Sequence, residues 1–314
     1  MIDYEGLAAL LSGWDNITIL THKSPDGDCI GAGLALCYYL RAMGKRANVL
    51  NSDGIPQRFS FLSEGYTQQE FEERHVVSVD VADTQLLGER LEHYSDRIDL
   101  CIDHHRTSKR FAARNFIDPD ASATCLVLYE LFEHMGDTPS GIVASCLYTG
   151  IATDTGCFKF QNTTPAAHRA AARLMELGAD YEEINRRMFD IKSRGRLAAE
   201  QILIGGIRYF DEGGIAVIVI TNEFIEKYGI DRAELDGMAS IPLNVEGVKI
   251  GITMKQQEDN PECFKVSLRT VCADACEIAE KFGGGGHVRA AGCTVSGSAD
   301  SALLRIVSEA EKYL

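Results

Sequence analysis

The sequence predicts a two-domain α/β protein, with a parallel β-sheet between helices in the N-terminal domain and a smaller α+β domain after it. The N-terminal half alternates short apolar runs with helical segments, which is typical of a parallel sheet covered on both faces. The C-terminal third instead contains a pair of strands around a glycine turn. The chain also has 314 residues, and one hydrophobic core rarely grows beyond roughly 250–300 residues.

Four short apolar segments of the N-terminal half predict β-strands. They are residues 16–20 (NITIL), 46–50, 75–79 (HVVSV) and 98–102 (IDLCI). Between the first two, residues 29–43 predict a helix that stops before Gly44. Between the last two, residues 84–97 predict a polar helix that Asp83 caps.

Helices are expected over most of residues 122–190. One apolar helix begins near Ser140, and another has Thr164 as its N-cap, Pro165 in its first turn and Gly178 at its end. The polar, helical segment that follows has the character of a connector. We therefore divide the chain into a catalytic domain, a helical linker and a second domain, namely residues 1–190, 191–205 and 206–314.

The second domain combines strands and helices. A hairpin is predicted where two apolar runs flank the sequence DEGG. Further strands and helices follow, with a glycine run at 283–286 between the helices. The predicted strands are 207–210, 215–220, 248–255 and 264–269, and the predicted helices are 274–281 and 301–314.

Composition limits the partners and the compartment. With 31 basic and 46 acidic residues the net charge is −15, which disfavours duplex nucleic acid and anionic membrane surfaces as partners. No apolar run is long enough to span a membrane, and the early acids Asp3, Glu5 and Asp15 argue against a signal peptide. The ten cysteines lie mostly in apolar stretches without a C-x-x-C pair. We therefore expect free thiols in a reducing cytoplasm.

The first candidate site follows the first strand, in the sequence THKSPDGD. Loops at the carboxyl ends of parallel strands are where such sheets bind ligands. His22, Asp26 and Asp28 can converge there, and carboxylates with one imidazole suit Mn²⁺ or Mg²⁺ better than zinc. The alternative is a capped turn in which Asp26 and Gly27 form the turn and Asp28 the N-cap.

Further titratable residues lie at the ends of other elements. Asp80 ends the third strand, whereas Asp83 is interpreted as a helix cap. Asp103, His104 and His105 follow the fourth strand. Since successive side chains alternate in direction, one histidine can ligate a cation, the other can face substrate, and the aspartate can orient an imidazole. The alternative for this triplet is a solvated loop.

Asp154 lies at the end of an apolar helix, where a carboxylate opposes the helix dipole and a cation would offset the unfavourable charge. With Asp103 and one histidine of the triplet set aside for other roles, four acids and two histidines occupy element ends in four segments. Two cations about 3.5–4 Å apart, bridged by one carboxylate, would use this set to clamp a phosphoryl oxygen. A single cation would leave too many carboxylates unneutralised.

The glycine run predicts a phosphate-binding segment. Gly284, Gly285 and Gly286 let backbone N–H groups approach a phosphate without a Cβ in the way. His287 adds a donor, and Arg269 can grip a phosphate through two parallel hydrogen bonds. The alternative is a flexible loop.

The order of these motifs, H-x-x-x-D-x-D, V-D-x-x-D, D-H-H and a late aspartate, resembles the DHH phosphoesterase family. The sequences GGGGHVRAAG (283–292) and VSLRT (266–270) are similar to the signature of the DHH-associated C-terminal domain and to the strand before it. The resemblance implies that Asp103 supports the site and that His105 faces the scissile phosphate. It implies two Mn²⁺ ions that share Asp80, one held by His22, Asp26 and Asp80 and the other by Asp28, Asp80, His104 and Asp154.

The resemblance implies hydrolysis of short single-stranded RNA to 5′-mononucleotides, of 3′-phosphoadenosine 5′-phosphate, or of both. The family II pyrophosphatases carry a different second domain, and the RecJ-type exonucleases are longer. A phosphodiesterase for linear or cyclic signalling dinucleotides is the alternative function. A nucleotide-binding regulatory protein would not need a complete ligand set. The choice between Mn²⁺ and Mg²⁺ stays open, as does the oligomeric state, with a homodimer among the options.

Overall fold

The computed structural model describes residues 2–139, 141–230, 232 and 235–314. The chain forms two compact units, Met1–Ile191 and Lys192–Leu314. Each unit has a β-sheet and a hydrophobic core of its own. In the described part of the chain, no helix combines the length and the apolar character needed to cross a membrane.

The first unit contains a five-stranded sheet in the order β2-β1-β3-β4-β5, and every neighbouring pair is parallel. The parallel α/β fold expected from the sequence is confirmed, and so are the four predicted strands. The fifth strand was not predicted. The strands are β1 (Ile17–Leu20), β2 (Ala47–Leu50), β3 (His75–Val79), β4 (Leu100–Asp103) and β5 (Arg114–Ile117).

In the described residues, six α-helices accompany this sheet. They are α1 (Tyr4–Gly13), α2 (Gly27–Ala42), α3 (Thr124–His134), α4 (Ile142–Asp154), α5 (Pro165–Glu176) and α6 (Tyr181–Asn185). α2 and α4 are buried along almost their whole length, because apolar and small residues surround both helices. Thr164 caps α5 as predicted. Ser140, the expected start of the apolar helix, lies outside the described residues, and α4 begins at Ile142.

The predicted helix over residues 84–97 was wrong. Two short 3₁₀ segments, Thr84–Leu87 and Glu89–Tyr94, stand there instead. Gly88 separates them with a φ of +78°, a left-handed conformation that an α-helix cannot contain. Asp83 does cap the first segment, since its carboxylate accepts a hydrogen bond from the Gln85 N–H.

The second unit contains a six-stranded sheet in the order β10-β11-β9-β8-β7-β6, in which only the β7–β8 pair is parallel. The predicted hairpin is confirmed as β6 and β7. The strands are β6 (Arg208–Phe210), β7 (Ile215–Ile220), β8 (Ile250–Gln256), β9 (Cys263–Thr270), β10 (Gly285–His287) and β11 (Ala290–Ser296).

The described part of this unit has four α-helices, namely α7 (Arg194–Gly205), α8 (Asn222–Tyr228), α9 (Ala275–Glu280) and α10 (Ala299–Ala310). The segment expected as the linker contains α7. Ala199 and Leu203 of this helix pack against Ile218 and Ile220 of β7.

Part of the glycine run forms the edge strand β10, which was not among the predicted strands. The close approach of β11 explains why glycine occupies two positions of the run. A Cβ on Gly284 would lie 2.2 Å from the Gly292 carbonyl oxygen, and Gly286 has a φ of +149°. An edge strand still leaves one row of backbone N–H and C=O groups without a strand partner.

Candidate active site

The candidate site lies at the carboxyl edge of the first sheet. His22 follows β1, Asp80 follows β3 and His104 follows β4, while Asp28 begins α2 and Asp154 ends α4. Glycines let α2 and α4 approach closely enough to join these groups. A Cβ on Gly150 of α4 would lie 2.6 Å from the Asp28 Oδ1 atom, and one on Gly27 would lie 2.2 Å from the Thr153 hydroxyl.

His104 stands among three carboxylates. Its Nε2 atom lies 3.5 Å from Asp154, 3.7 Å from Asp80 and 3.9 Å from Asp28. The other ring nitrogen, Nδ1, donates a hydrogen bond to the Ala121 carbonyl oxygen at 3.2 Å. A backbone carbonyl that holds one nitrogen in this way turns the second nitrogen toward a ligand.

His22 is held in the same manner. Its Nδ1 atom donates to the Lys23 carbonyl oxygen at 2.7 Å, and its Nε2 atom lies 3.6 Å from Asp80 and 3.7 Å from Asp26. Burial alone would lower the pKa of His22, but hydrogen bonds to Asp26 and Asp80 outweigh it and raise the pKa. Asp80 thus lies beside the Nε2 atoms of both His22 and His104.

Asp26 belongs to the same loop but is half exposed. Its carboxylate caps α2 by accepting a hydrogen bond from the Cys29 N–H at 3.0 Å. The alternative in which Asp28 is the N-cap of this helix is therefore wrong. Burial would raise the pKa of Asp26, and its hydrogen bond with His22 lowers it instead.

The amino end of α3 holds Asp28. Ala123 at the N-cap of this helix has no side chain able to cap it, and Asp28 takes that role from far away in the sequence. Its carboxylate accepts from the Thr124 N–H at 2.6 Å and from the Cys125 N–H at 2.9 Å. Burial and the neighbouring Asp80 carboxylate nevertheless raise the pKa of Asp28 to about 7. Hydrogen bonds to α3 thus hold the Asp28 carboxylate in place close to that of Asp80.

Asp80 has a left-handed backbone, with a φ of +58°, which aspartate and asparagine tolerate better than most residues. Its side chain is 2% exposed. Its N–H donates to the Ile102 carbonyl oxygen at 3.0 Å, and its carboxylate accepts from the Thr124 hydroxyl at 2.9 Å. This bend directs the carboxylate into the site.

Asp103 and His105 form a separate pair. The buried Asp103 carboxylate accepts from the Nδ1 atom of His105 at 2.7 Å and from the His104 and His105 N–H groups. The hydrogen bond to Asp103 raises the pKa of His105 to about 9. The Nδ1 atom of His105 also lies 3.6 Å from Asp80. Asp103 therefore orients the second histidine of the motif, as the sequence analysis allowed.

Asp154 also lies in this site, 3.5 Å from the Nε2 atom of His104. Burial raises its pKa to about 9, with further contributions from Asp28 and Asp80. So many acids close together favour a positive charge in their midst. The described residues contain three groups in which the potential ligand atoms lie within 4.8 Å of one another, namely His22, Cys29 and Asp80; Asp80, His104 and His105; and Asp28, His104 and Asp154. Carboxylates and imidazoles are the donors that Mn²⁺ accepts, so this set fits a divalent cation.

Two members of the site were not predicted. Thr124 begins α3 and contacts both Asp28 and Asp80, and Cys29 contributes a sulfur atom to one ligand group. No local pattern marks Thr124, because its role depends on a helix packed against a distant loop. Cys29 stands next to the D-x-D motif, and its place in the first turn of a helix was the only available signal.

The predicted phosphate-binding residues lie in the second unit. In the register of its sheet, His287 of β10 pairs with Ala290 of β11, which pairs with Arg269 of β9. Residues directly opposite each other in antiparallel strands share one face of the sheet. Arg269 and His287 are therefore on the same face, two strand spacings apart, or about 10 Å. Gly285, Gly286 and His287 are exposed.

Comparison with known families matches both units. Residues 16–151 match the family described as "DHH family, N-terminal domain", and residues 213–314 match the "DHHA1 domain". The first match contains the residues of the site except Asp154, and the second contains Arg269 and the glycine run.

Individual proteins resemble nearly the whole chain. A "Bifunctional oligoribonuclease and PAP phosphatase NrnA" of Thermus thermophilus is 32% identical over 95% of this chain and 90% of its own length. The crystal structure of an exopolyphosphatase-related protein from Bacteroides fragilis has a TM-score of 0.87 and 25% identity, over 99% of this chain and 96% of that one. The "Cyclic-di-AMP phosphodiesterase PdeA" of Listeria monocytogenes is 25% identical over 99% of this chain, which spans 48% of that protein. The chain described here belongs to the DHH family of phosphoesterases and carries a DHHA1 domain as its C-terminal part.

Proposed function

We propose that this protein is a metal-dependent phosphoesterase that hydrolyses short single-stranded RNA to 5′-mononucleotides and dephosphorylates 3′-phosphoadenosine 5′-phosphate. The observation that carries this proposal is the convergence of carboxylates and two oriented imidazoles beside the Asp103–His105 pair. The Thermus thermophilus relative is named for the same two activities.

Two divalent cations, Mn²⁺ or Mg²⁺, are proposed as the cofactors. The proposal is supported by six side chains that form two clusters, with Asp80 as the member common to both. A divalent cation bound at such a site supplies Lewis-acid polarisation of a phosphoryl oxygen. The proposed ligands of the first cation are His22, Asp26 and Asp80, and those of the second are Asp28, Asp80, His104 and Asp154.

His105 is proposed as the general acid. Its Nδ1–H group donates to Asp103, so the Nε2 atom remains to act on substrate. The hydrogen bond to Asp103 raises the pKa of His105, which favours a protonated imidazole with a proton at Nε2. It can pass this proton to the oxygen that leaves the phosphorus, and Asp103 stabilises the protonated ring until then.

Arg269 and the segment Gly284–His287 are proposed to bind a substrate phosphate or nucleotide away from the scissile bond. Their common face on the sheet supports a shared ligand, and β10 is an edge strand whose backbone N–H groups can join them. With a net charge of −15, the protein has little long-range attraction for a long strand or a duplex.

A panel of substrates tests the proposed function. The chelated protein, reloaded with Mn²⁺, is assayed on a linear RNA dinucleotide, a longer single strand, a duplex and 3′-phosphoadenosine 5′-phosphate. We expect rapid release of mononucleotides from the dinucleotide, phosphate release from the last substrate, and slower turnover as the strand lengthens. Equal rates on the duplex and the dinucleotide would contradict the proposal.

A phosphodiesterase of signalling dinucleotides is the second candidate. The observation in its favour is the PdeA relative, which aligns with 99% of this chain. Cyclic di-AMP added to the same panel separates the two functions. Faster cleavage of the cyclic than of the linear dinucleotide would favour this second candidate.

A reducing compartment, the cytoplasm, is proposed for this enzyme. All ten cysteines are free thiols, and six of them are buried. Cytosolic proteins keep cysteines in this state, whereas secreted domains usually pair them.

A further inference from the structure

Cys29 brings a sulfur atom into the candidate metal site. The residue lies in the first turn of α2, directly after Asp28, and its side chain is fully buried. Its Sγ atom, a ring nitrogen of His22 and a carboxylate oxygen of Asp80 all lie within 4.8 Å of one another. The three atoms are therefore close enough together to share one cation.

The two partners of Cys29 are held in place. His22 donates through Nδ1 to the Lys23 carbonyl oxygen, which leaves its Nε2 lone pair for a ligand. Asp80 is fixed by the Thr124 hydroxyl. The thiol lies 3.8 Å from the His22 carbonyl oxygen, and it also interacts with the His22 side chain, so its sulfur already faces the imidazole of this group.

We propose that Cys29 is a ligand of the cation that His22 and Asp80 hold, so that this position has a mixed nitrogen, oxygen and sulfur donor set. The inference rests on the proposed metal centre. On binding, the sulfur–hydrogen bond breaks, the thiolate binds the cation and the proton passes to solvent.

This donor set separates the two cation positions. Thiolate ligands favour Zn²⁺ and Co²⁺, whereas carboxylates suit Mn²⁺ and Mg²⁺. Among the described residues, the group of Asp28, His104 and Asp154 contains no sulfur. The position at Cys29 therefore binds thiophilic cations more tightly than the other position does.

Cobalt spectroscopy tests the ligand directly. The intact chelated protein is titrated with Co²⁺, and thiolate-to-cobalt charge transfer is recorded in the near ultraviolet. The variant is Cys29→Ser, and the matched control is Cys37→Ser. Cys37 is a buried cysteine of the same helix, and its Sγ atom contacts the Ala47 carbonyl oxygen at 3.3 Å. We expect the band in the wild type and the control at one equivalent of Co²⁺, and its loss in Cys29→Ser.

Binding of Co²⁺ to the wild type without this band would overturn the inference, and so would a band that persists in Cys29→Ser. The wild-type spectrum decides the question even where the variant fails to fold. A protein that binds no divalent cation would overturn the proposed metal centre together with this inference.

Titration calorimetry gives a second readout. We expect Cys29→Ser to weaken Zn²⁺ binding at least about tenfold, because even residues that only orient metal ligands contribute that much. Mn²⁺ binding should change less, since Mn²⁺ prefers oxygen. Equal losses for both cations, or no loss for Zn²⁺, would contradict the proposed role of the thiol.

Discussion

At the scale of single residues, Asp80 connects the two halves of the candidate site. Its carboxylate lies 3.6 Å from His22 and 3.7 Å from His104. We predict that Asp80→Asn loses cation binding and nearly all hydrolysis, because both clusters lose the charge they share. Asparagine tolerates the φ of +58°, so the variant should fold. Metal content and turnover of the purified variant are measured together.

Asp83→Asn is the control for this prediction, since Asp83 stands on the same loop but pairs with Lys109 and caps a 3₁₀ segment. It should keep its cations and most of its turnover. Near-normal turnover in Asp80→Asn would show that the two cations do not share this carboxylate.

His105 and His104 are neighbours with different predicted roles. His105→Ala should keep its cations and lose roughly 10²–10⁴-fold in rate, which is the contribution of a general acid. His104→Ala should lose cation binding, since its Nε2 atom faces three carboxylates. Metal analysis and single-turnover rates distinguish the two variants. Loss of a cation in His105→Ala would make this histidine a ligand.

The residues of the site differ in how far the sequence predicts them. His22, Asp80 and His104 follow strands of a parallel sheet, so their convergence follows from topology. The hydrogen-bond partners of Asp28 cannot be predicted in this way, because the Thr124 and Cys125 N–H groups belong to a helix about a hundred residues later. Such a contact depends on tertiary packing, which has no local signature.

At the scale of elements, the site depends on the close packing of α2 against α4. A Cβ on Gly150 would meet the Cys125 Sγ atom at 2.2 Å and the Asp28 Oδ1 atom at 2.6 Å. We predict that Gly150→Ala destabilises the protein by about 1–3 kcal/mol, as overpacking does, and weakens cation binding by displacing Asp28. Urea denaturation and calorimetry measure the two effects.

Gly13→Ala is the matched control, because Gly13 ends α1 and a Cβ there meets no atom within 4 Å. Its stability should change by no more than about 1 kcal/mol. A similar small change in Gly150→Ala would mean that the helices can separate without harm to the site.

The second sheet carries a prediction about substrate. Arg269→Ala should raise the KM for RNA dinucleotides by about 10- to 150-fold, since a charge-assisted contact contributes roughly 1.5–3 kcal/mol. A small aryl phosphodiester without a second phosphate should be almost indifferent. The control is Arg208→Ala on β6 at the other edge of the sheet, where Arg208 pairs with Asp300. Equal losses on both substrates would contradict this role.

The helices and strands that the sequence predicts correctly are those that the local residue pattern alone determines. The apolar strands β1, β3 and β4 and the capped helix α5 are in that class. β5 has the sequence RNFI and an exposed end, so its composition does not predict a strand. Its pairing with β4 stabilises the extended conformation instead. β10 contains two glycines in three residues, and glycine is depleted in strands.

At the scale of the whole molecule, the balance of charge inside the first unit decides how stability responds to metal. Burial and mutual repulsion raise the pKa of Asp28 to about 7 and that of Asp154 to about 9. In an unfolded chain both would titrate near 3.9. The contribution of these two carboxyls to folding of the metal-free protein thus becomes less favourable as pH rises from about 4 to about 9, because the unfolded state releases protons that the folded site retains.

A bound divalent cation removes this penalty by neutralising the carboxylates, and it displaces their protons. We therefore predict that chelation lowers the Tm, and that the difference in Tm between the Mn²⁺-loaded and the chelated protein grows as pH rises toward about 9. Taking the difference at each pH cancels groups outside the site. Asp154→Asn removes one raised pKa, so its chelated form should lose less stability with rising pH and gain less from Mn²⁺. A Tm difference that stays constant with pH in the wild type would show that these carboxylates are not where the cation binds.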